Sequence, residues 1–181
     1  MIYVFFIVVL VIVIYIISVR NKLVKLDNMA DESFSTMDVY LKKRWDLVPN
    51  LVNSVKGYTQ HESKLFEAVT LLRNNKYESL KQNEKIDTNV ELEKDLQQIV
   101  AVAESYPTLK ADTNFLELSR DLNKVEEDIA NARKYYNAVI RMYNDKVEVF
   151  PCNIIANIFN FKPRKMFEAG SEERKNVQID L

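Results

Sequence analysis

The chain holds one imidazole and one thiol, His61 and Cys152, among its 181 residues. His61 stands beside Glu62, a pairing that general acid–base chemistry uses, but an imidazole in the first turn of a helix is ordinarily a solvent-facing side chain. Cys152 follows Pro151 among apolar neighbours that suit inert packing better than thiolate chemistry. Neither has a third, orienting group at a recognisable spacing, so no nucleophile and base are paired. One His and one Cys also exclude a zinc site of ordinary ligand count, a disulfide framework and a di-iron bundle. The two glycines, Gly57 and Gly170, leave no loop that would cradle a phosphate.

Charged side chains offer two further candidates. Glu91, Glu93 and Asp95, and again Glu126, Glu127 and Asp128, cluster in sequence, yet consecutive helical residues point in different directions and cannot converge on one cation. Solvated faces account for them. The run Lys42-Lys43-Arg44 is matched by Asp38 and Asp46 and reads as a helix surface with intrahelical pairs. Arg44, Asp46 and Asn50 also surround Pro49, while Arg133, Asn137 and Asn144 flank a later apolar stripe. If those helices lie antiparallel, the six form a polar layer that fixes register, with a binding groove as the alternative. With 25 basic against 26 acidic side chains there is no electrostatic reason to bind nucleic acid. No cofactor, metal or small-molecule substrate is inferred.

The elements that carry these residues fall into two unlike parts. Between Ile2 and Val19, fifteen of eighteen residues are Ile, Leu, Val or Phe, and no charge occurs before Arg20. As a helix this run is about 27 Å long, close to the hydrocarbon thickness of a bilayer. Its apolar residues favour insertion by roughly 5–9 kcal/mol. No base precedes it, it is too long for a signal-peptide core, and Ser18–Asn21 offers no small-x-small cleavage site, so it is expected to remain as an anchor. Arg20, Lys22 and Lys25 follow at once. The positive-inside rule then puts the short N-terminus outside and the rest in the cytoplasm of a single-pass protein of the cell membrane. A lone Cys152 suits that reducing compartment.

Beyond the anchor, four amphipathic helices are predicted. The first carries Leu23, Leu26, Ala30, Phe34, Met37, Leu41, Trp45, Val48, Val52 and Val55 at steps of three and four, continuous with the span and bent at Pro49. Gly57 is expected as its left-handed stop. A capping box at Thr59–Glu62 opens the second, with Leu65, Phe66, Val69 and Leu72. Residues 81–88 read as a polar connection, and Thr88 with Glu91 as the box opening the third, which Tyr106-Pro107 ends. Asp112 or Thr113 caps the fourth, whose stripe from Phe115 to Phe150 repeats every 3.5 residues and suits knobs-into-holes packing. The expected fold is all-α: a transmembrane helix, residues 1–20, then an elongated antiparallel up-down four-helix bundle, residues 21–168, and a flexible polar tail, residues 169–181. Bundle parity returns the chain after Phe150-Pro151 to the bilayer. Ile154, Ile155, Ile158, Phe159 and Phe161, with Lys162, Arg164 and Lys165, then either close the lower end of the bundle or meet the membrane interface.

Several stretches together resemble the LemA family: Asn21–Leu26 (NKLVKL), Met37–Val52 (MDVYLKKRWDLVPNLV), Val55–Tyr58 (VKGY) with His61-Glu62, and Tyr106–Ala111 (YPTLKA) with Asn114-Phe115. Ala132–Asn137 (ARKYYN), Tyr143-Asn144 and Phe150-Pro151 continue the likeness, which spans residues 21 to about 168. Departures are Leu72 before Arg73, where relatives tend to have Ala, and Trp45 in place of a small or His-like residue. The resemblance implies a bacterial protein with one N-terminal transmembrane helix and an elongated helical bundle in the cytoplasm. No enzymatic activity or cofactor carries over from it, and relatives in membrane-compartment formation point by analogy to membrane organisation. Together with the residue reading, this predicts a non-enzymatic membrane-anchored scaffold or adaptor. Its rod-like bundle, held in the lipid bilayer through residues 2–19, faces an unidentified protein partner or the membrane surface. The alternative is a sensor or signalling accessory whose packing around Pro49 responds to a ligand or partner.

Overall fold

The computed structural model describes residues 1–58, 66–67, 69–70 and 77–167. Among them every regular element is helical: α1 (Ile2–Lys56), a 3-10 turn (Tyr77–Ser79), α2 (Gln82–Glu104), α3 (Pro107–Lys110), α4 (Thr113–Glu148) and α5 (Cys152–Ile158). The expected all-α class, with one long apolar N-terminal helix, is the observed one. The second expected helix falls largely outside the described residues, although Phe66 and Val69, both buried, are helical. His61 with the Thr59–Glu62 box, and the tail 169–181, also lie outside them.

α1 is one helix of 55 residues that continues through Pro49. Up to Ile17 its apolar side chains are exposed on every side, Ile16 alone being partly covered. From Val19 onward burial narrows to a stripe, Leu23, Leu26, Ala30, Phe34, Met37, Leu41, Trp45, Val48, Val52 and Val55, joined by Ser33, Arg44 and Leu51, because most of the residues between them are polar or charged and stay in water. Each fully buried Leu or Val of that stripe contributes about 1.5–3 kcal/mol.

The chain divides into two compact units. In the first, residues 1–37 and 131–166, early α1 meets late α4, so the two run antiparallel there. Val19, Leu23 and Leu26 pack with Tyr143 and Val147 of α4 and with Ile155 and Ala156 of α5, and the Phe34 and Tyr136 rings meet edge-on at 5.9 Å. In the second, made up of the described residues of 38–130 with Phe167, the core draws on Leu41, Trp45 and Val48 of α1. α2 adds Ile86, Leu92, Leu96 and Ile99, and α4 adds Phe115, Leu122, Val125 and Ile129.

Three boundaries differ from the sequence reading. Gly57 is not left-handed; the Tyr58 amide reaches back to the Val55 carbonyl at 3.0 Å, a tightened last turn that needs no such residue. α2 begins at Gln82, and Thr88 lies inside it rather than at its cap. Glu84 supplies the cap, accepting from the Lys81 amide at 2.7 Å, and Ile86 and Asn89 extend the buried stripe one turn earlier. Phe150 falls beyond the end of α4 and is exposed, because the helix stops at Glu148 before the stripe would turn it inward.

Asp112 caps α4 as expected. Its Oδ1 accepts from the Phe115 amide at 2.9 Å and its Oδ2 from the Tyr58 hydroxyl at 3.0 Å, which lower its pKa below the usual carboxylate range. A depressed folded-state pKa contributes stability above the unfolded value and loses it as pH falls through the folded one. Asp112→Ala is therefore expected to lower the thermal midpoint at neutral pH, with a gap to the parent that closes as the buffer is taken below the carboxylate range. Circular-dichroism melts of the two proteins in detergent across that pH series check it.

Candidate functional site

In the second unit, α1 carries Arg44 on its buried stripe between Leu41 and Val48, where its side chain is wholly excluded from solvent. A buried guanidinium must be matched by acceptors. Nη1 donates to both carboxylate oxygens of Glu126 on α4 at 3.1 and 3.0 Å, with Glu93 of α2 at 3.9 Å. Nη2 donates to the carbonyl and side-chain oxygens of Asn89 on α2 at 2.9 and 3.0 Å. The Asn89 amide nitrogen in turn donates to the Lys85 carbonyl at 2.9 Å. Nε is buried without a hydrogen-bond partner among the described residues. One side chain of α1 thus fixes the rotation and height of α2 and α4.

A second polar group lies on the same elements. Asp38 accepts from the Tyr77 hydroxyl at 2.6 Å and from Lys85. The Lys85 ammonium lies 4.7 Å from the Tyr77 ring centroid, and Trp45 packs against that ring at 5.3 Å. Burial, then the bond to Asp38, push the Tyr77 phenol far above its ordinary pKa, so it acts as a neutral donor. Glu93 and Glu126 also line a cavity of about 320 Å³ between α2 and α4, whose middle is formed by Leu96, Val100 and Leu122. Its lining combines those two carboxylates with Glu104, the amides of Gln97 and Asn123, and the apolar side chains. Among the described residues no group of three or more His, Cys, Asp or Glu side chains is placed to hold a metal ion.

In the first unit the segment after α5 is strapped to α1 and α4. Asn144 donates to the Arg164 carbonyl and accepts from its amide, both at 2.9 Å, and the Tyr136 hydroxyl donates to the Lys165 carbonyl at 2.8 Å. The Arg164 guanidinium pairs with Asp27 at 2.6 Å and with Asp31 one turn further along α1, and lies over the Tyr143 ring at 5.7 Å. Burial opposes its charge, but Asp31 and Asp27 hold its pKa above the ordinary value. α5 lies against the exit of the apolar span: the Tyr15 hydroxyl is 3.9 Å from Cys152 Sγ, and the Arg20 guanidinium is 5.2 Å from the Phe159 ring centroid.

The six residues of the expected polar layer divide between the units, Arg44, Asp46 and Asn50 in one and Arg133, Asn137 and Asn144 in the other. Asp46 and Asn50 are exposed, Asp46 pairing with Lys42 at 2.6 Å. Arg44 leaves the surface run to which Lys42 and Lys43 belong, and Glu126 leaves the solvated acidic cluster, because each finds the other across 82 positions of sequence. Asp38 likewise turns to Tyr77 and Lys85 rather than to the basic run beside it. Arg133 and Asn137 are half-buried. Arg20, Lys22 and Lys25 are all exposed, as are Ile154, Ile158, Phe159, Lys162 and Lys165. Ile155 is buried, and Phe161 packs against its cluster. Sequence reasoning missed Asn89, which interrupts the buried row from Ile86 to Leu92, and the pair Asp27 and Asp31, which flanks Leu26 and Ala30 at helical spacing.

A family model described as "LemA family" matches residues 33–181. The chain is similar to Protein LemA of Metamycoplasma hominis, with 27% identity over 164 residues that cover 87% of this chain and 73% of that protein. It is also similar to the magnetosome proteins MamQ 1 and MamQ 2 of Paramagnetospirillum magneticum. Each is 33% identical over 73 residues, 40% of this chain and 27% of the relative.

Two substitutions separate the arginine networks. Glu126→Ala leaves a buried guanidinium short of its main counter-charge, with Glu93 still near, and is expected to lower stability by about 2–3 kcal/mol in urea denaturation. Asn144→Ala removes both bonds to the Arg164 backbone and is expected to raise hydrogen exchange at the Arg164 amide by about tenfold or more; unchanged exchange would show that the strap is held elsewhere.

Proposed function

The chain belongs to the LemA family, and from that premise we propose that it is a non-enzymatic, single-pass membrane protein, a scaffold or adaptor whose helical domain is anchored by residues 2–19 and offered to a protein partner. The observation that carries this reading is α1 itself. It has a mean hydropathy of 3.2 over an 18-residue window with none of that window buried, and the same helix then enters the folded domain without a break. A helix exposed on all sides with Ile, Val and Phe is stable only where lipid covers it. Exposed Arg20, Lys22 and Lys25 at the end of the run support a cytoplasmic domain at the cell membrane. The likeness to proteins named for the magnetosome favours a membrane-associated role.

A sensor reading has one observation in its favour: Glu93 and Glu126 face both Arg44 and the cavity between α2 and α4, so an occupant of that cavity would compete with the buried cation for its carboxylates.

Membrane fractionation tests the anchor. The full chain is expected to stay in the pellet after an alkaline carbonate wash, and a chain lacking residues 1–20 to move to the supernatant. A topology reporter fused after Leu181 is expected to be active as a fluorescent protein and inactive as alkaline phosphatase; the reverse pattern would overturn the orientation.

A further inference from the structure

We propose that α5 and the turn before it form an interfacial collar, which lays Phe150, Ile154 and Ile158 into the boundary between headgroups and acyl chains of an acidic phospholipid bilayer beside the span. The proposal rests on the anchored reading of α1 and adds a second lipid contact to it. α5 lies at the depth such a contact needs. α5 opens at Cys152, in contact with Tyr15, and ends beside Phe159, under Arg20. Tyr15 and Arg20 are five residues apart on α1, about 7–8 Å along the axis. α5 therefore lies between the last tyrosine of the span and its first cation, the layer in which aromatic and amphipathic side chains sit at a membrane surface.

α5 also leaves a run of apolar side chains uncovered. Ile155 and Ala156 face Val19, Leu23 and Leu26 and hold the helix in place. Ile154 and Ile158, one turn apart, are 52% and 69% exposed, and Phe150 is 74% exposed. Of the eleven large apolar residues exposed among the described residues beyond the span, five fall between 149 and 159. Such clustering marks an interaction surface, whereas singly scattered exposed apolar residues do not.

Charge borders this face without entering it. No charged residue occurs from Val149 to Phe161. Exposed Lys162 and Lys165 follow, and exposed Arg20, Lys22 and Lys25 stand on the adjoining turns of α1. Of the nearby acids, Asp27 and Asp31 are engaged by Arg164, leaving exposed Glu148 and Asp145 against five cations. An apolar face bordered by lysines matches anionic headgroups over an acyl layer. Arg164, held by its two aspartates, belongs to the fold and not to the lipid contact.

The test uses the full chain in vesicles of mixed phosphatidylglycerol and phosphatidylcholine. An environment-sensitive fluorophore is placed at Ile158→Cys in a Cys152→Ser background. The expected result is blue-shifted emission, most of which is lost when the lipids are brominated high on the acyl chain and little of which is lost to aqueous iodide. Lys162→Glu with Lys165→Glu, or vesicles of phosphatidylcholine alone, are expected to return the label toward iodide. Iodide access equal to that of the free dye, in protein that still floats with the vesicles, would overturn the collar while leaving the anchor standing; failure to float would overturn the anchor. Blue-shifted emission that ignores brominated lipid and fades as protein is diluted in lipid would show a second copy on this face and overturn the lipid assignment. Equal quenching by brominated phosphatidylcholine in neutral vesicles would overturn the requirement for acidic lipid.

Discussion

A helix that passes from lipid to water without a break must satisfy two solvents with one backbone, and α1 meets that demand by changing its side-chain pattern at Val19 and Arg20. Before that point every direction around the axis is apolar; after it only one stripe is. In hydrocarbon the backbone has no partner other than itself, so the hydrogen-bond ladder of the span is obligatory. Continuing that ladder into water carries the rotational phase of the span into the folded domain. The buried row Val19, Leu23 and Leu26 starts where the lipid-facing surface ends, and Tyr143, Val147, Ile155 and Ala156 take their positions against it.

Two arginines then do different physical work. Arg164 is half-buried and bound to two carboxylates one helical turn apart on α1, with its own backbone held by Asn144. An ion pair of that exposure contributes modestly; its effect is to hold the strap after α5 along α1. Arg44 is fully buried, and the cost of dehydrating its charge is met only by good geometry with Glu126 and Asn89. Such a centre adds less to net stability than an apolar core of the same volume, yet it penalises any shift of α2 or α4 along α1. Register is its physical consequence, and the unmatched Nε shows that the match is incomplete among the described residues.

Features set by neighbours within a turn or two were legible in the sequence: the apolar span, the α1 stripe that runs through Pro49, the stripe of α4, the Asp112 cap, and the end of α2 before Pro107. Features set by distant residues were not. Arg44 looked like part of a basic surface run because its partners stand 45 and 82 positions away. Residues 81–88 have the polarity of a loop, which hides one buried Ile86, and Asn89 is buried where it accepts from Arg44. Gly57 carried the composition of a left-handed stop, but a tightened last turn served instead. Asp27 and Asp31 had helical spacing and no visible cation until the chain returned 133 residues later with Arg164.

One uninterrupted helix shared between bilayer and folded domain is tested by a nitroxide scan of residues 2–30, one labelled cysteine at a time, in the full chain in vesicles with Cys152 replaced. Collision with oxygen and with a water-soluble nickel chelate is measured at each site. An uninterrupted helix gives oxygen access without helical periodicity through Ile14, then nickel access with a period of 3.6 residues and minima at Val19, Leu23, Leu26 and Ala30. Periodic nickel access within residues 2–14, or loss of helical phase between Ser18 and Lys22, would contradict it.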